Sequence, residues 1–534
     1  SNTIIDGSQP SHPDSGSVVT FNSGEDTTSV LCGFTITGGT GTFIPAVPLP
    51  FNVRIGGGIY IGANVSASVL NNIIKHNNIL TNDYAAGGGI YSDDPGGNGF
   101  SIIENNKIRN NSILGGNQLI MGGGICMGGS GRIINNYIIE NTCQSMGSSL
   151  GAVGGGVKFW TLDGSQDTTS CLIENNIISD NRSISVNGTA YAGGINSSNC
   201  VITMRNNVVC NNTAESTVQS IGAGMHVGGL IYLESRIENN RFTGNHFIGT
   251  GTSYGGGLYI NNSILVVINN IFNDNEADYG GGLVLNSNSQ PQIVNNTLVS
   301  NSATYAGGGI SSYQSTLTMM NSILWGNSAI GAHQIFISGG TDDVTYSDVQ
   351  GGWTGTGNID LNPELVDTVL TSGDTLFSIL SIGSPCIDAG NSDPMFYDPE
   401  DPNNPGYALW PSMGTIGNDM GAYGGPGAIS WIITDVNDER ELINDFPVGF
   451  HLSQNYPNPF NPSTKIQYSV NSTQKVTLKV YDLLGSEIAT LVSEEKPAGS
   501  YELIWTVANL PSGVYFYQLR IGSFVETKKM ILLK

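Results

Sequence analysis

Charge is scarce in this chain and one-sided: 12% of its 534 residues are Asp, Glu, Lys or Arg, with 19 basic against 43 acidic and a net charge of -24. An ordinary protein is about 25% charged. Nucleic acids and anionic membrane surfaces are polyanions gripped through Lys and Arg, so neither is expected as a partner. Between Arg241 and Arg440 there is no basic residue at all, although 19 Asp and Glu fall there. No apolar run approaches the roughly 18 residues that a membrane-spanning helix needs, so no transmembrane segment is expected. Leader-like features are missing too. The opening SNTIIDG has no initiator Met and no charged-then-apolar region, and reads as a processed or truncated chain. The seven cysteines (Cys32, Cys126, Cys143, Cys171, Cys200, Cys210 and Cys386) share no spacing. They suggest neither a disulfide framework nor a zinc site, and read as small buried apolar residues.

What is present is Gly, at 73 residues, and apolar side chains at 39% of the chain. Such apolar content excludes disorder. The motif Gly-Gly-Gly-apolar, or a near relative, recurs with its apolar residue at Ile59, Ile90, Ile125, Val157, Ile195, Met225, Leu258, Leu283 and Ile310, a mean period of about 31 residues. An Asn pair follows each one, from Asn71-Asn72 to Asn295-Asn296, with Asn321-Ser322 as a degenerate last copy. Six residues after the first Asn of every pair stands another: Asn77, Asn111, Asn141, Asn181, Asn212, Asn245, Asn275, Asn301 and Asn327.

Parity fixes the shape of one repeat. Apolar residues stand two before each pair (Val69, Ile103, Ile133) and three after its first Asn (Ile74, Ile108, Ile138), an offset of five. A strand alternates faces with period two, so both columns point inward only if the chain turns a corner at the Asn pair. Asn tolerates the left-handed conformation such a corner needs, and the Gly run marks a second corner. Short strands with corners at fixed columns describe a parallel β-solenoid. The stacked Asn77-to-Asn327 column is expected to be a structural amide ladder.

This pattern resembles the right-handed parallel β-helix repeat proteins of bacterial surfaces, including the GGGI-type repeats of polymorphic outer-membrane proteins, over roughly residues 1–360. Nine clear coils, weaker ones around Ile4–Ile5 and Phe34–Ile36, and one after Trp325 give about 11–12 coils. At about 4.8 Å per coil the rod is roughly 55–60 Å long. The corner between Asn pair and third Asn keeps a constant length, whereas the other connections vary and are expected to carry exposed loops.

Residues 361–430, with SPCIDAG (Ser384–Gly390) and MGAYGG (Met420–Gly425), resemble the segment that closes many secreted bacterial β-helices and read as a capping or anchor-type segment; 431–446 read as a linker. Residues 447–534 differ in kind, with alternating runs such as KVTLKVYD, GVYFYQLRI and ETKKMILLK that suggest a small immunoglobulin-like β-sandwich. YPNPFNPST (Tyr456–Thr464), VYDLLGSEIATLV (Val480–Val492), GSYELIW (Gly499–Trp505), LPSGVYFYQL (Leu510–Leu519) and the final KKMILLK resemble the type A C-terminal sorting domain of the type IX secretion system. That resemblance implies the type IX machinery as a partner, export across the outer membrane, and an extracellular, cell-surface location.

The fold class also hosts pectate lyases and polygalacturonases, which need clustered Asp beside a basic residue or His. Here Lys158, Arg182, Arg205 and the other bases of the first half stand among scattered acids, the His residues show no ligand spacing, and the words NTD, GHG and RIK are missing. No catalytic residue is therefore assigned and no cofactor is expected. A polysaccharide-degrading enzyme and a glycan-binding module are the alternatives to a structural or adhesive surface protein. For glycans, Tyr254, Tyr279 and Tyr305 could form an aromatic row along one edge, or merely an apolar stack over the Gly corner. For metal, Asp393, Asp398, Glu400 and Asp401 offer oxygens to Ca²⁺, or a solvated acidic loop. A strand edge left open at the first coil suggests end-to-end assembly into fibres or a sheath.

Overall fold

The computed structural model describes residues 3–45, 52–93, 99–116, 118–147, 151–161, 170–229, 235–369 and 375–428, and all but short stretches between 451 and 532. The chain divides into two compact units, Ser1–Leu365 with Leu380–Val436, and Val366–Ile379 with Asn437–Lys534.

The first unit is a right-handed parallel β-helix. A typical coil runs through short strands at Tyr84–Ala86, Ile90–Ser92, Phe100–Glu104, Lys107–Arg109 and Ser112–Gly115. Each strand pairs in parallel, in register, with its equivalent one coil on, as in Ile74↔Ile108↔Ile138↔Ile178. The sheet holding this column has twelve strands, one per coil. It includes the weak coils at Ile5 and Ile36 and the last one at Val349. Near the start, Gly41–Ile44 runs antiparallel to both Ser15–Gly16 and Val53–Ile55.

Both apolar columns inferred from parity point inward, and Ile74, Ile103, Ile108, Ile133 and Ile138 are fully buried in one continuous core. The Asn corner divides its labour. The first Asn of every pair is left-handed, with φ between 50° and 57° from Asn71 to Asn321. The second is the ladder residue: Asn136 Nδ2 donates to Asn176 Oδ1 of the next coil (3.0 Å) and to the Ile103 carbonyl of the previous one (2.8 Å). The third Asn column builds a parallel ladder, in which Asn141 Nδ2 donates to Asn181 Oδ1 (3.0 Å) and to the Ile108 carbonyl (2.8 Å).

A second left-handed column precedes the third Asn, at His76, Asn110, Glu140, Asp180, Asn211, Gly244, Asp274, Ser300 and Gly326. Holding an L-residue there costs about 1–2 kcal/mol, and Gly escapes the cost. Ser300, exposed at φ 55°, is accordingly expected to stabilise the rod by about 1 kcal/mol when replaced by Gly. Denaturant unfolding checks this; a loss of stability in Ser300→Gly would remove the strain argument.

The Gly run is required on two counts. Its first member is left-handed at most coils, as at Gly87 (φ 67°) and Gly122 (φ 65°). Its second lies against the adjacent backbone, so that a Cβ on Gly88 would stand 2.4 Å from the Gly123 carbonyl oxygen.

Ile337 of the last coil and Trp353, just after it, pack against the core. The 380–428 segment lies along the flank of the rod, on the Asn corner. Asn269 Nδ2 donates to the Ala422 and Gly424 carbonyls (2.9 and 2.7 Å), Asn295 Nδ2 to the Asp419 carbonyl (2.8 Å), and the Asn391 N–H to Asn321 Oδ1 (2.8 Å).

The second unit contains a β-sandwich of two antiparallel sheets, one from His451–Leu452, Ser463–Val470 and Gly499–Thr506, the other from Gln474–Tyr481, Glu487–Lys496, Gly513–Ile521 and Phe524–Leu532. Alternate residues meet between them, among them Ile466, Val476, Leu478, Val480, Tyr517 and Leu519.

Candidate functional site

At the Gly corner, residues just before the run pack against residues just after it, as Ala86 does with Tyr91 and Ile221 with Tyr259. The after-run column stacks in register as Tyr60, Tyr91, Cys126, Lys158, Asn196, His226, Tyr259 and Val284. Near its middle the column is polar, yet only 5% of Lys158, 1% of Asn196 and 8% of His226 is exposed.

These three residues form one hydrogen-bonded row across three coils. Lys158 Nζ donates to Asn196 Oδ1 at 2.7 Å, and Ser198 Oγ donates to the same oxygen at 3.0 Å. Asn196 Nδ2 stands 2.9 Å from His226 Nδ1, which accepts from the amide. The His226 ring is held between Tyr191, edge-on at 5.5 Å, and Tyr259, stacked at 5.5 Å. Burial disfavours charge here: it pushes the Lys158 amine down to about 8, the His226 imidazole down to about 3, and the Cys126 thiol up to about 12. His226 is thus neutral and Cys126 an inert thiol at physiological pH. In the sequence Lys158 stands as one scattered base and His226 as one of several unspaced histidines. The signal that would have joined them is the position after each Gly-run apolar residue, read as a column.

The tyrosine row exists, with its faces turned on itself. Tyr254 and Tyr279 stack at 5.4 Å and 14°, and Tyr305 lies tilted by 37° at 5.2 Å from Tyr279. Tyr313 closes edge-on at 6.3 and 6.1 Å from the first two. Tyr305, 49% exposed, is the open end of the row.

The acidic residues of the flanking segment serve backbone N–H groups. Asp393 accepts from Met395, Glu400 from Gly406, and Asp401 from Asn403. Asp398 is buried and accepts from the Gly425 and Asp419 N–H groups. Among the described residues no three His, Cys, Asp or Glu side chains converge to hold a metal.

In the sandwich, the words that set this region apart have structural partners. The Asn455 N–H donates to Tyr517 Oη (2.7 Å) and its Nδ2 to Thr464 Oγ1 (3.0 Å). Asn458 Oδ1 accepts from the Ile531 N–H (2.8 Å), tying the Asn-Pro stretch to the last strand, and Phe460 is buried in the core. Residues 454–533 match the family described as the secretion system C-terminal sorting domain. The chain ends in a type IX secretion sorting domain. The protein is therefore handled by the type IX machinery, secreted, and attached at the cell surface. Among the described residues no helix is long and apolar enough to cross a membrane. Comparison with curated proteins and with solved structures finds no match.

Proposed function

We propose that this surface protein is a structural or adhesive element without catalytic turnover, its rod acting as a stiff spacer or contact surface. The observation that carries this reading is how the rod uses its polar side chains: the buried amides bond the coil above and the coil below. Continuous in-register ladders resist bending and shear between coils, which suits a load-bearing element. Incubating the folded chain with polyuronates and neutral glycans, with and without Ca²⁺, is expected to release no product beyond an unfolded control. Product release would reject the reading in favour of a polysaccharide-degrading enzyme.

A glycan-binding role is the second reading, and the half-exposed ring of Tyr305 favours it. In that case Tyr305→Ala weakens retention on a glycan array, while Tyr254→Ala, whose ring face is covered by Tyr279, has the smaller effect. Self-association into fibres belongs to the structural reading. Electron microscopy showing only dispersed monomers at high concentration would remove it.

A further inference from the structure

The Lys158, Asn196 and His226 row has the composition of a reaction centre whose substrate is the chain itself. An amine and a primary carboxamide lie in contact on adjacent coils, buried from water, with a hydroxyl donor on the carbonyl oxygen and an imidazole on the amide nitrogen. We infer that Lys158 and Asn196 join through an amide cross-link, formed by the folded rod without a separate enzyme, that staples one coil to the next.

Each participant has a place in the step. Burial holds the Lys158 amine down at about 8, so roughly a tenth of the population is neutral and nucleophilic at pH 7. The Nζ lone pair forms a bond to Asn196 Cγ, and the carbonyl π pair moves onto Oδ1, where the Ser198 hydroxyl donates to the developing oxyanion. The pair then returns, the Cγ–Nδ2 bond breaks, and one proton passes from Nζ to Nδ2, which leaves as ammonia. His226, whose Nδ1 accepts from Nδ2, orients the amide while that proton passes between the two nitrogens, which share Cγ in the intermediate. One C–N bond forms and one breaks, nothing is oxidised or reduced, and no co-reactant is needed. Exclusion of water protects both amide and product from hydrolysis, and loss of ammonia to solvent makes the step irreversible.

The surroundings fit reaction better than storage of a charge. A buried ammonium is ordinarily paired with a carboxylate, whereas the hydrogen-bond partner of Lys158 among the described residues is the Asn196 amide. Register alone brings the two side chains together, because Lys158 and Asn196 are paired residues of neighbouring strands. The Tyr191 and Tyr259 rings pack against the imidazole, so the group that orients the amide is itself fixed before reaction.

Intact mass spectrometry of the purified full chain tests the inference. The mature protein is expected about 17 Da below its sequence mass, the loss of one ammonia, and proteolysis is expected to give a branched peptide joining Lys158 to Asn196. Lys158→Met and Asn196→Ala each restore the full mass. Ser198→Ala leaves the fold intact and slows cross-linking after refolding by at least about tenfold, an effect a merely packing hydroxyl would not have. Full sequence mass in wild-type protein whose rod is folded, as judged by circular dichroism and protease resistance, overturns the proposal. So does a branched peptide linking any other pair. Should Lys158→Met fail to fold, the wild-type peptide map decides alone.

Discussion

Replacing Asn141 by Ala is expected to lower the stability of the rod by about 3–5 kcal/mol, far more than an ordinary surface change. The amide has four jobs. Its Nδ2 donates to the Ile108 carbonyl (2.8 Å) and to Asn181 Oδ1 (3.0 Å), and its Oδ1 accepts from Asn111 Nδ2 (3.0 Å) and the Asn111 N–H (3.1 Å). All of these atoms are buried, and a buried donor or acceptor left without its partner costs about 1–3 kcal/mol. Partial relaxation keeps the total below the sum. Asn141→Asp is expected to be worse at neutral pH, since an oxygen replaces the donor between two acceptors and brings a buried charge. Asn78→Ala, at an exposed position one residue past the same ladder, serves as the control and should change stability by less than about 0.5 kcal/mol. Because coils of a solenoid contact only their neighbours, hydrogen exchange in Asn141→Ala should quicken first in the strands around Ile108, Ile138 and Ile178. A ladder variant within about 1 kcal/mol of the parent in denaturant unfolding would show that the amides are not what holds the corner.

That ladder was legible because stacking forces one residue type to recur once per coil. The Gly run, the Asn pair and the third Asn are columns of identity; counting their copies gives the coil number, and the parity of the apolar residues around the Asn pair gives the corner and the inward columns. The left-handed column at His76, Glu140, Asp180 and Ser300 was not legible. Its constraint acts on the backbone, and each coil meets it with a different side chain, so no identity recurs to mark it. The polar row at the Gly corner was hidden for a related reason: Cys126, Lys158, Asn196 and His226 share a column without sharing a chemistry. Individually each had a bland explanation, and only the in-register pairing of coils places them in contact. The flank docking of the 380–428 segment lay further from reach, because contacts such as Asn295 to Asp419 span 124 residues and follow no period.

The missing basic residues have a structural consequence that the segment's pH response should reveal. Asp398 and Asp419 are buried side by side, the Asp419 N–H donating to Asp398 Oδ2 at 3.3 Å, with Asp388 close by and Asp348 bonded to the Cys386 thiol at the same end. No Lys or Arg occurs between Arg241 and Arg440 to neutralise them. Burial and the neighbouring acid push the Asp398 carboxyl well above its ordinary 3.8, and burial does the same to Asp419, although backbone N–H groups favour the charged form of each. A raised folded-state value means that the folded chain holds a proton the unfolded chain gives up more readily. The stability it confers is complete below about pH 4 and is lost as the pH climbs through the raised values toward and past neutrality. Every tenfold gain in proton affinity on folding is worth about 1.4 kcal/mol, so the segment should be on the order of a few kcal/mol better docked at pH 5 than at pH 8. Limited proteolysis between 380 and 428, with protease activity normalised at each pH, is expected to quicken markedly at the higher value. Asp398→Asn keeps an oxygen for the Gly425 N–H while removing one charge, and should flatten the dependence and slow cleavage at pH 8. An undiminished pH dependence in that variant would assign the effect to the general repulsion of a chain carrying -24, and not to the buried pair.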